Sequence, residues 1–497
     1  MLTLTMFNVL TRCLGFLYKI YLSRVLSTTE LGIYSLTTSI YMVIITFVGS
    51  SIPLTISKIT SNNLALNRTD NTKYSVTSSL CLSIGISILF SILLVLCKPL
   101  LTLVIGNNLG YSIMLVLIPS IIFTAIYSQI RGYLWGIENY FAVSIVELVE
   151  QILRIAFCML LITIGLSKFN SISVGLALSI ACAIITIYGI YLYIKNGGKF
   201  AYKPGYFKEI IQSSLPLTGV RLFGSLLQPI VAIILPLILT NLGMLKADAL
   251  SELGIVMGMS MPLLSIPSTI IGSLCMILIP KISSHTNSES IKNQISSYVK
   301  FTISCIFVFI PIFIVLGEPV CNLVFSNSSA GIYMSYCAWT IIPMGIAQIT
   351  TSILNALNQE KKTFYYFVIS SIIMIASIFI LPRFLGIQSM IVANGLSSII
   401  LSLLNIIQIK KITNHNYNIM LNIISHILVS FPVILLTKLT YNWISSLLLN
   451  TFFSIAITSI LAFVGYIALL IVFNIIDMSI IRSYYSKYTK KQSKINN

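Results

Sequence analysis

Arg12 lies near the middle of an apolar segment, residues 2–26, that is long enough to cross a bilayer as a helix. An arginine at that depth costs about 2.5–3.5 kcal/mol on insertion scales, so we expect its guanidinium to face a polar cavity and not lipid. Helical spacing places Asn8, Gly15 and Lys19 on the same face. Two interpretations stay open: an arginine that reaches a headgroup or pairs with a carboxylate of another helix, and one wall of a cavity that binds an anion.

A second polar stripe lies in the seventh apolar segment, residues 210–240, where Arg221, Ser225 and Gln228 are spaced by four and three residues. A buried arginine held by carbonyl groups is one explanation. Two polar stripes that face each other would instead hold one anion from both sides, with Arg24 adding charge to the first stripe. We favour the second explanation and predict a substrate cavity with these polar residues: Asn8, Arg12, Lys19, Arg24, Arg221, Ser225 and Gln228.

Clustered acidic residues occur in the fifth apolar segment, residues 142–165, which contains Glu147, Glu150 and Arg154. Glu150 and Arg154 have the spacing and the order that favour an ion pair on a helix, and Glu147 lies on the same face. We interpret this cluster as a structural ion pair. The alternative is a carboxylate at Glu147 that couples transport to a proton or a cation.

The composition identifies the class of protein. Hydrophobic residues make up 57% of the 497 residues and charged residues 8%, against about 25% charged residues in soluble domains. Mean hydropathy is +0.97, and about fourteen apolar segments have spanning length, which predicts an all-α polytopic membrane protein. Nineteen Lys and Arg residues flank these segments on the side of the N-terminus and seven on the other side, so both termini are predicted to be cytoplasmic.

The net charge of +18 follows mostly from this topology and needs no nucleic acid to explain it. We expect the basic C-terminal tail to lie on anionic membrane lipids. The three histidines lack partners at metal-binding spacing, and the sequence contains neither a HExxH motif nor a Gly-rich phosphate loop. The chain is therefore predicted to be no enzyme and to hold no metal or cofactor.

An internal repeat divides the chain. The stretch Glu30-Leu31-Gly32-Ile33 recurs as Glu252-Leu253-Gly254-Ile255 at an offset of 222 residues, and three other short matches have nearly the same offset. A duplication of about six helices keeps both copies in one orientation, as parallel repeats about an axis along the membrane normal. We predict a six-helix lobe at 1–209, a second six-helix lobe at 210–412, and two extra membrane helices with a basic tail at 413–497.

Several of these stretches resemble the stage V sporulation protein B family, within the multidrug/oligosaccharidyl-lipid/polysaccharide flippase superfamily that includes the MurJ-type lipid II flippases. The resemblance spans nearly the whole chain and is carried by the following residues: Thr11-Arg12-Cys13-Leu14-Gly15-Phe16, Leu22-Ser23-Arg24, Glu30-Leu31-Gly32-Ile33-Tyr34, Ile52-Pro53, Ile56-Ser57-Lys58, Leu215-Pro216-Leu217-Thr218 with Arg221, Leu226-Leu227-Gln228, and Gly258-Met259 through Pro262 to Ile266-Pro267.

The resemblance implies fourteen helices in two lobes and the passage of a polyprenyl-pyrophosphate-linked saccharide to the outer leaflet of the bacterial cytoplasmic membrane, in the synthesis of spore cortex peptidoglycan or cell wall. Cell-wall synthesis enzymes are candidate partners. MurJ-type proteins carry two further cavity arginines at places where this chain has Tyr18 and Pro262. The cavity is therefore expected to be less cationic than theirs.

Two alternative functions stay open beside a flippase. An ion-coupled multidrug or cation exporter of the same superfamily would require carboxylates in its cavity, whereas the first helix offers Asn8, Arg12 and Lys19. A membrane scaffold that recruits cortex enzymes and transports nothing would gain little from arginines inside its membrane helices.

Overall fold

The computed structural model describes the chain except for residues 1, 50, 67–68, 202, 204–205, 284–287, 448–449, 474 and 476–497. The described residues form helices and no strand. The α-helices are α1 (Leu2–Val25), α2 (Thr28–Gly49), α3 (Ile52–Ala65), α4 (Thr69–Leu96), α5 (Lys98–Ile105), α6 (Asn108–Gly136), α7 (Tyr140–Ile164), α8 (Asn170–Lys195), α9 (Tyr206–Asn241), α10 (Lys246–Ile255), α11 (Met261–Leu264), α12 (Ile266–Ser283), α13 (Ser288–Phe325), α14 (Ser328–Cys337), α15 (Ile341–Ala356), α16 (Glu360–Ile380), α17 (Pro382–Leu385), α18 (Ser389–Thr413), α19 (Ile419–Leu447) and α20 (Thr451–Val472).

Twelve helical segments of the described chain are long and apolar enough to cross a membrane. The two predicted spans that are missing from these twelve are α1 and α7, which have 24 and 25 residues. At about 1.5 Å per residue, both are long enough for a hydrocarbon layer of about 30 Å. Each carries three charged residues, which lower its hydropathy. The prediction of an all-α polytopic membrane protein is confirmed, and the predicted number of fourteen spans is approximate.

Contacts between Cα atoms divide the chain into two compact units. The first unit contains residues 1–259 and 378–387, and the second contains 260–377 and 388–497. Helices α9 and α10 belong to the first unit because they pack on α2, and α9 also contacts α3 and α4. The predicted lobes, 1–209 and 210–412, describe a sequence repeat and not a contact boundary, so that division stays a prediction.

Inside the first unit, the two copies of the repeated Glu-Leu-Gly-Ile motif pack against each other where α2 and α10 cross. A methyl group added at Gly32 would clash with the carbonyl oxygen of Leu250, and one added at Gly254 would clash with the carbonyl oxygen of Thr28. Thr28 and Leu250 are separated by the same 222 residues as the two glycines. Reciprocal contacts of this kind are characteristic of a two-fold axis. That such an axis relates two duplicated halves of the chain stays a prediction.

The second unit is organised around α13, a helix of 38 residues. Helices α19 and α20 pack on it, and His426 of α19 lies 3.0 Å from the Ser304 hydroxyl and 2.7 Å from the Asn422 carbonyl oxygen. Helices α15 and α18 are joined by the amide of Asn405, which donates to two threonine hydroxyls. These hydrogen bonds satisfy polar groups that would otherwise be buried without partners.

Candidate functional site

Helices α6 and α7 form a hairpin that brings Arg131 and Glu147 together. Asn139, in the turn between the helices, accepts a hydrogen bond from the Ala142 amide and caps α7. Arg131 Nη1 lies 3.4 Å from Glu147 Oε1, and the two side chains are 27% and 32% exposed. The Arg131 guanidinium carbon also lies 4.8 Å from the centre of the Trp135 ring, one turn further along α6. The guanidinium is therefore held by a carboxylate and by an aromatic face.

Arg131 and Trp135 also line a cavity of about 220 Å³ in the first unit. Arg221, from α9, lines the same cavity, close enough to Arg131 for the two positive charges to repel each other. The other lining residues are mostly apolar and come from α2 and α3: Ile45, Thr46, Gly49 and Leu54. The described lining thus contains two arginines and no carboxylate, which suits a small anion.

A second polar contact joins α1 and α7, which pack against each other. The Arg154 guanidinium lies over the Tyr18 ring, 5.3 Å from its centre, and donates a hydrogen bond to the side chain of Gln151. Arg154 does not form the expected ion pair with Glu150 among the described contacts. The ion pair on α7 is formed by Glu147 instead, because Arg131 approaches it from the neighbouring helix.

The predicted cavity residues have different positions. Arg221 lines the cavity beside Arg131. Arg12, Lys19 and Arg24 are exposed on α1 and are not among the residues that line this cavity, and the side chain of Asn8 lies outside the described part. Ser225 donates a hydrogen bond to the Leu222 carbonyl oxygen, and Gln228 is exposed. A substrate role for these residues therefore stays a prediction.

Arg131 and Trp135 are the site residues that sequence reasoning did not single out. Arg131 is one of four arginines inside predicted spans, and Trp135 follows it at the spacing that puts both on one helix face. The predicted turn between the fourth and fifth spans would have placed Arg131 and Glu147 at similar depths. Among the described residues, no group of three His, Cys, Asp or Glu side chains could hold a metal ion.

Comparison with known proteins relates this chain to a family. The family described as polysaccharide biosynthesis protein matches residues 1–286. Stage V sporulation protein B of Bacillus subtilis (strain 168) is 24% identical over 426 residues, which are 82% of each chain. Sporulation protein YkvU of the same organism is 21% identical over 304 residues, which are 58% of this chain and 66% of YkvU.

Solved structures have the same fold. Lipid II flippase MurJ in an inward closed conformation superposes with a TM-score of 0.75 at 14% identity, over 96% of this chain and 100% of that chain. An inward-facing multidrug resistance MATE family transporter of the MOP superfamily superposes with a TM-score of 0.66 at 13% identity, over 81% of this chain and 94% of that chain. At these identities the likeness concerns the fold, and it confirms the fold class expected from the resemblance. Because the family match covers more than half of the sequence, the chain belongs to the polysaccharide biosynthesis protein family.

Proposed function

We propose that this chain is a flippase that moves a polyprenyl-pyrophosphate-linked saccharide from the inner to the outer leaflet of the bacterial cytoplasmic membrane. The saccharide would serve the spore cortex or the cell wall, a role in keeping with a family described as polysaccharide biosynthesis protein and with a sporulation protein among the relatives. The observation that carries the proposal is the cavity that Arg131 and Arg221 share.

The cavity has the chemistry to hold the linking phosphates. Arginine presents a planar fork of donors that matches phosphate oxygens, and Arg131 already holds an oxyanion in the form of Glu147. Pockets for drug-sized ligands have volumes of about 300–1,000 Å³. A cavity of about 220 Å³ therefore suits a diphosphate, while the saccharide and the polyprenyl chain lie outside it.

The position of the cavity suits capture from the inner leaflet. Arg131 lies near the end of α6 and Glu147 near the start of α7, and the turn between these helices is on the predicted cytoplasmic side. Arg131 belongs to the predicted first lobe and Arg221 to the predicted second lobe. A substrate held between two repeats is the arrangement that alternating access requires.

We further infer that the diphosphate displaces Glu147 from Arg131 when it binds. Removing the partner of a half-buried arginine would leave a poorly solvated charge. Exchange of one oxyanion for another avoids this cost in both the empty and the loaded state. Glu147 is thereby a competitor of the substrate as well as a structural partner of Arg131.

The described cavity does not favour a drug-cation exporter, because its lining has two arginines and no carboxylate. A scaffold without transport would not require an anion site. Proteoliposomes with a labelled undecaprenyl-pyrophosphate saccharide in the inner leaflet test the proposal, with wild type compared to Arg131→Ala and Arg221→Ala. We expect translocation by the wild type and strong loss in both variants. Equal rates in all three proteins, or movement of cationic drugs alone, would exclude the flippase.

A further inference from the structure

A second basic cavity lies in the second unit, where α18 ends and the chain turns into α19. We call it the α18 basin. It has a volume of about 540 Å³, and its lining is polar apart from one residue: Ile407, Lys410, Lys411, Asn414, His415 and Asn416. This volume is more than twice that of the Arg131–Arg221 cavity and is large enough for a complete headgroup.

The charge of the α18 basin is positive. Lys410 and Lys411 occupy the last turn of α18, where cations also interact favourably with the helix dipole. The dipole explains why lysines are tolerated there, but it does not explain a cavity around them. Neither lysine has a carboxylate within 4.0 Å among the described residues, and the described lining contains no acidic residue.

The backbone shapes the basin. Asn414 ends α18 in the left-handed conformation, with φ of 48°, and turns the chain away from the helix axis. The amides of Asn414 and Asn416 and the imidazole of His415 then lie beside the two lysines. His415 packs edge-on against the ring of Tyr417, with 4.8 Å between ring centres. The basin therefore combines two ammonium groups with further hydrogen-bond donors.

Exposed apolar side chains occur in the basin and at the start of the helix that follows it. Ile407, one turn before Lys411, is 63% exposed, and Met420 and Leu421 at the start of α19 are 62% and 69% exposed. In a membrane protein, exposed apolar residues of spanning helices face lipid chains. The basin thus lies where the apolar surface of α18 and α19 gives way to polar residues, at the depth of lipid headgroups.

We propose that the α18 basin binds the phosphate-bearing headgroup of an anionic membrane lipid, with the acyl chains along the exposed apolar residues of α18 and α19. Lysines at the cytoplasmic membrane surface each contribute about 1 kcal/mol to the attraction of anionic lipid, and basic pockets between helices bind phosphorylated headgroups. A soluble phosphate compound would meet the same lysines but would gain nothing from the exposed apolar residues. The proposal does not depend on which substrate is transported.

Native mass spectrometry of the full chain with mixed phosphatidylglycerol and phosphatidylcholine tests the proposal. The variant Lys410→Gln/Lys411→Gln removes the charge of the basin. The control Lys361→Gln/Lys362→Gln removes the same charge from exposed positions of the same unit that do not line the basin. We expect the tightest phosphatidylglycerol adduct to weaken about tenfold to thirtyfold in the first variant and to be unchanged in the control.

Single variants keep the test interpretable if the double variant is unstable. Lys410→Gln and Lys411→Gln are each expected to weaken the adduct about threefold to fivefold. Equal adducts in wild type and basin variants, or equal losses in basin and control variants, would overturn the site. Inorganic diphosphate serves as the soluble competitor. Displacement of phosphatidylglycerol by equimolar diphosphate would mean that the basin serves a soluble phosphate compound, and the lipid proposal would be wrong.

Discussion

Replacing Glu147 by Gln should strengthen the binding of a diphosphate to the Arg131–Arg221 cavity. The substitution keeps the size of the side chain and removes the negative charge that holds Arg131. If Glu147 competes with the substrate, the diphosphate can bind Arg131 in the Glu147→Gln variant without first breaking an ion pair. Replacing Arg131 by Gln should have the opposite effect, because the cavity then loses half of its charged lining.

The separation of the two groups sets the size of the effect. At 3.4 Å and an effective dielectric constant of about 20, the attraction between the charges is about 5 kcal/mol before desolvation and side-chain ordering are counted. Fully exposed pairs contribute about 0.2–1 kcal/mol. Removing one partner of a buried pair costs about 3–5 kcal/mol. Side chains that are 27% and 32% exposed lie between these limits. We therefore expect the loss of the Glu147 charge to improve the free energy of diphosphate binding by about 1–2 kcal/mol, so that Glu147→Gln binds about fivefold to thirtyfold more tightly than wild type.

Trp135 provides the assay. The Arg131 guanidinium lies over its ring, so movement of this group toward a phosphate changes the surroundings of the indole. The chain has three tryptophans, and Trp339→Phe with Trp443→Phe leaves Trp135 as the reporter. Titration with a short-chain prenyl diphosphate then gives the affinity of the wild type, Glu147→Gln and Arg131→Gln. The control is Glu138→Gln, which removes an exposed carboxylate from the turn between the same two helices.

Two results would contradict a competition between Glu147 and the diphosphate for Arg131. Weaker binding by Glu147→Gln, parallel to Arg131→Gln, would mean that Glu147 only orients Arg131 for the ligand. A stronger affinity in both Glu147→Gln and Glu138→Gln would mean that any loss of negative charge attracts the probe. The double variant Arg131→Gln/Glu147→Gln should bind like Arg131→Gln alone, because Glu147 acts through Arg131.

Three further predictions concern Arg221, the helix crossing and the topology. Arg221→Lys should bind the diphosphate less tightly than wild type but more tightly than Arg221→Ala, because lysine keeps the positive charge and loses the paired donors of the guanidinium. Equal affinities of Arg221→Lys and wild type in the same titration would mean that Arg221 acts through its charge alone. Gly32→Ala should lower the free energy of unfolding by about 1–3 kcal/mol, because a methyl group there clashes with the Leu250 carbonyl oxygen. The control Gly85→Ala should leave the free energy of unfolding unchanged, because a methyl group at Gly85 meets open space. Thermal unfolding in detergent measures both variants, and equal shifts would contradict the contact between α2 and α10. Cysteines placed at Lys98 or Lys246 in a cysteine-free chain should react with an impermeant reagent from outside the cell, and a cysteine at Lys199 should not. Labelling at Lys199 would mean that the predicted orientation, and with it the predicted direction of transport, is wrong.

The sequence predicted the parts of the fold that depend on local pattern. Apolar segments of spanning length predicted the membrane helices. The same reasoning predicted α1 and α7 as spans, and these two are not among the twelve segments that are apolar enough. The repeat of Glu-Leu-Gly-Ile was also visible in the sequence. Its contact with its own copy was not, because two glycines 222 residues apart give no local signal that their helices cross.

The charged site shows where local pattern is insufficient. Spacing on one helix favoured a pair between Glu150 and Arg154, and this rule considers only neighbours on the same helix. The structure pairs Glu147 with Arg131 of the adjacent helix and places Arg154 over Tyr18. Both contacts depend on how α6, α7 and α1 pack, and a single sequence does not contain the rotation of each helix about its axis.

The packing of Arg154 on Tyr18 also bears on the charge available to a substrate. The resemblance to MurJ-type proteins implies an arginine at the place of Tyr18, and that difference predicted a less cationic cavity. In this chain a guanidinium occupies the same neighbourhood but comes from α7, with the tyrosine ring as its support. Arg12, Lys19 and Arg24 continue along α1 at intervals of seven and five residues, or about 10 and 8 Å along the helix. If the predicted substrate role of these three residues holds, a diphosphate that leaves the Arg131–Arg221 cavity as Glu147 returns would meet positive charge at each step toward the predicted outer side. No single cation then needs to bind it tightly, and weak successive binding is what release requires.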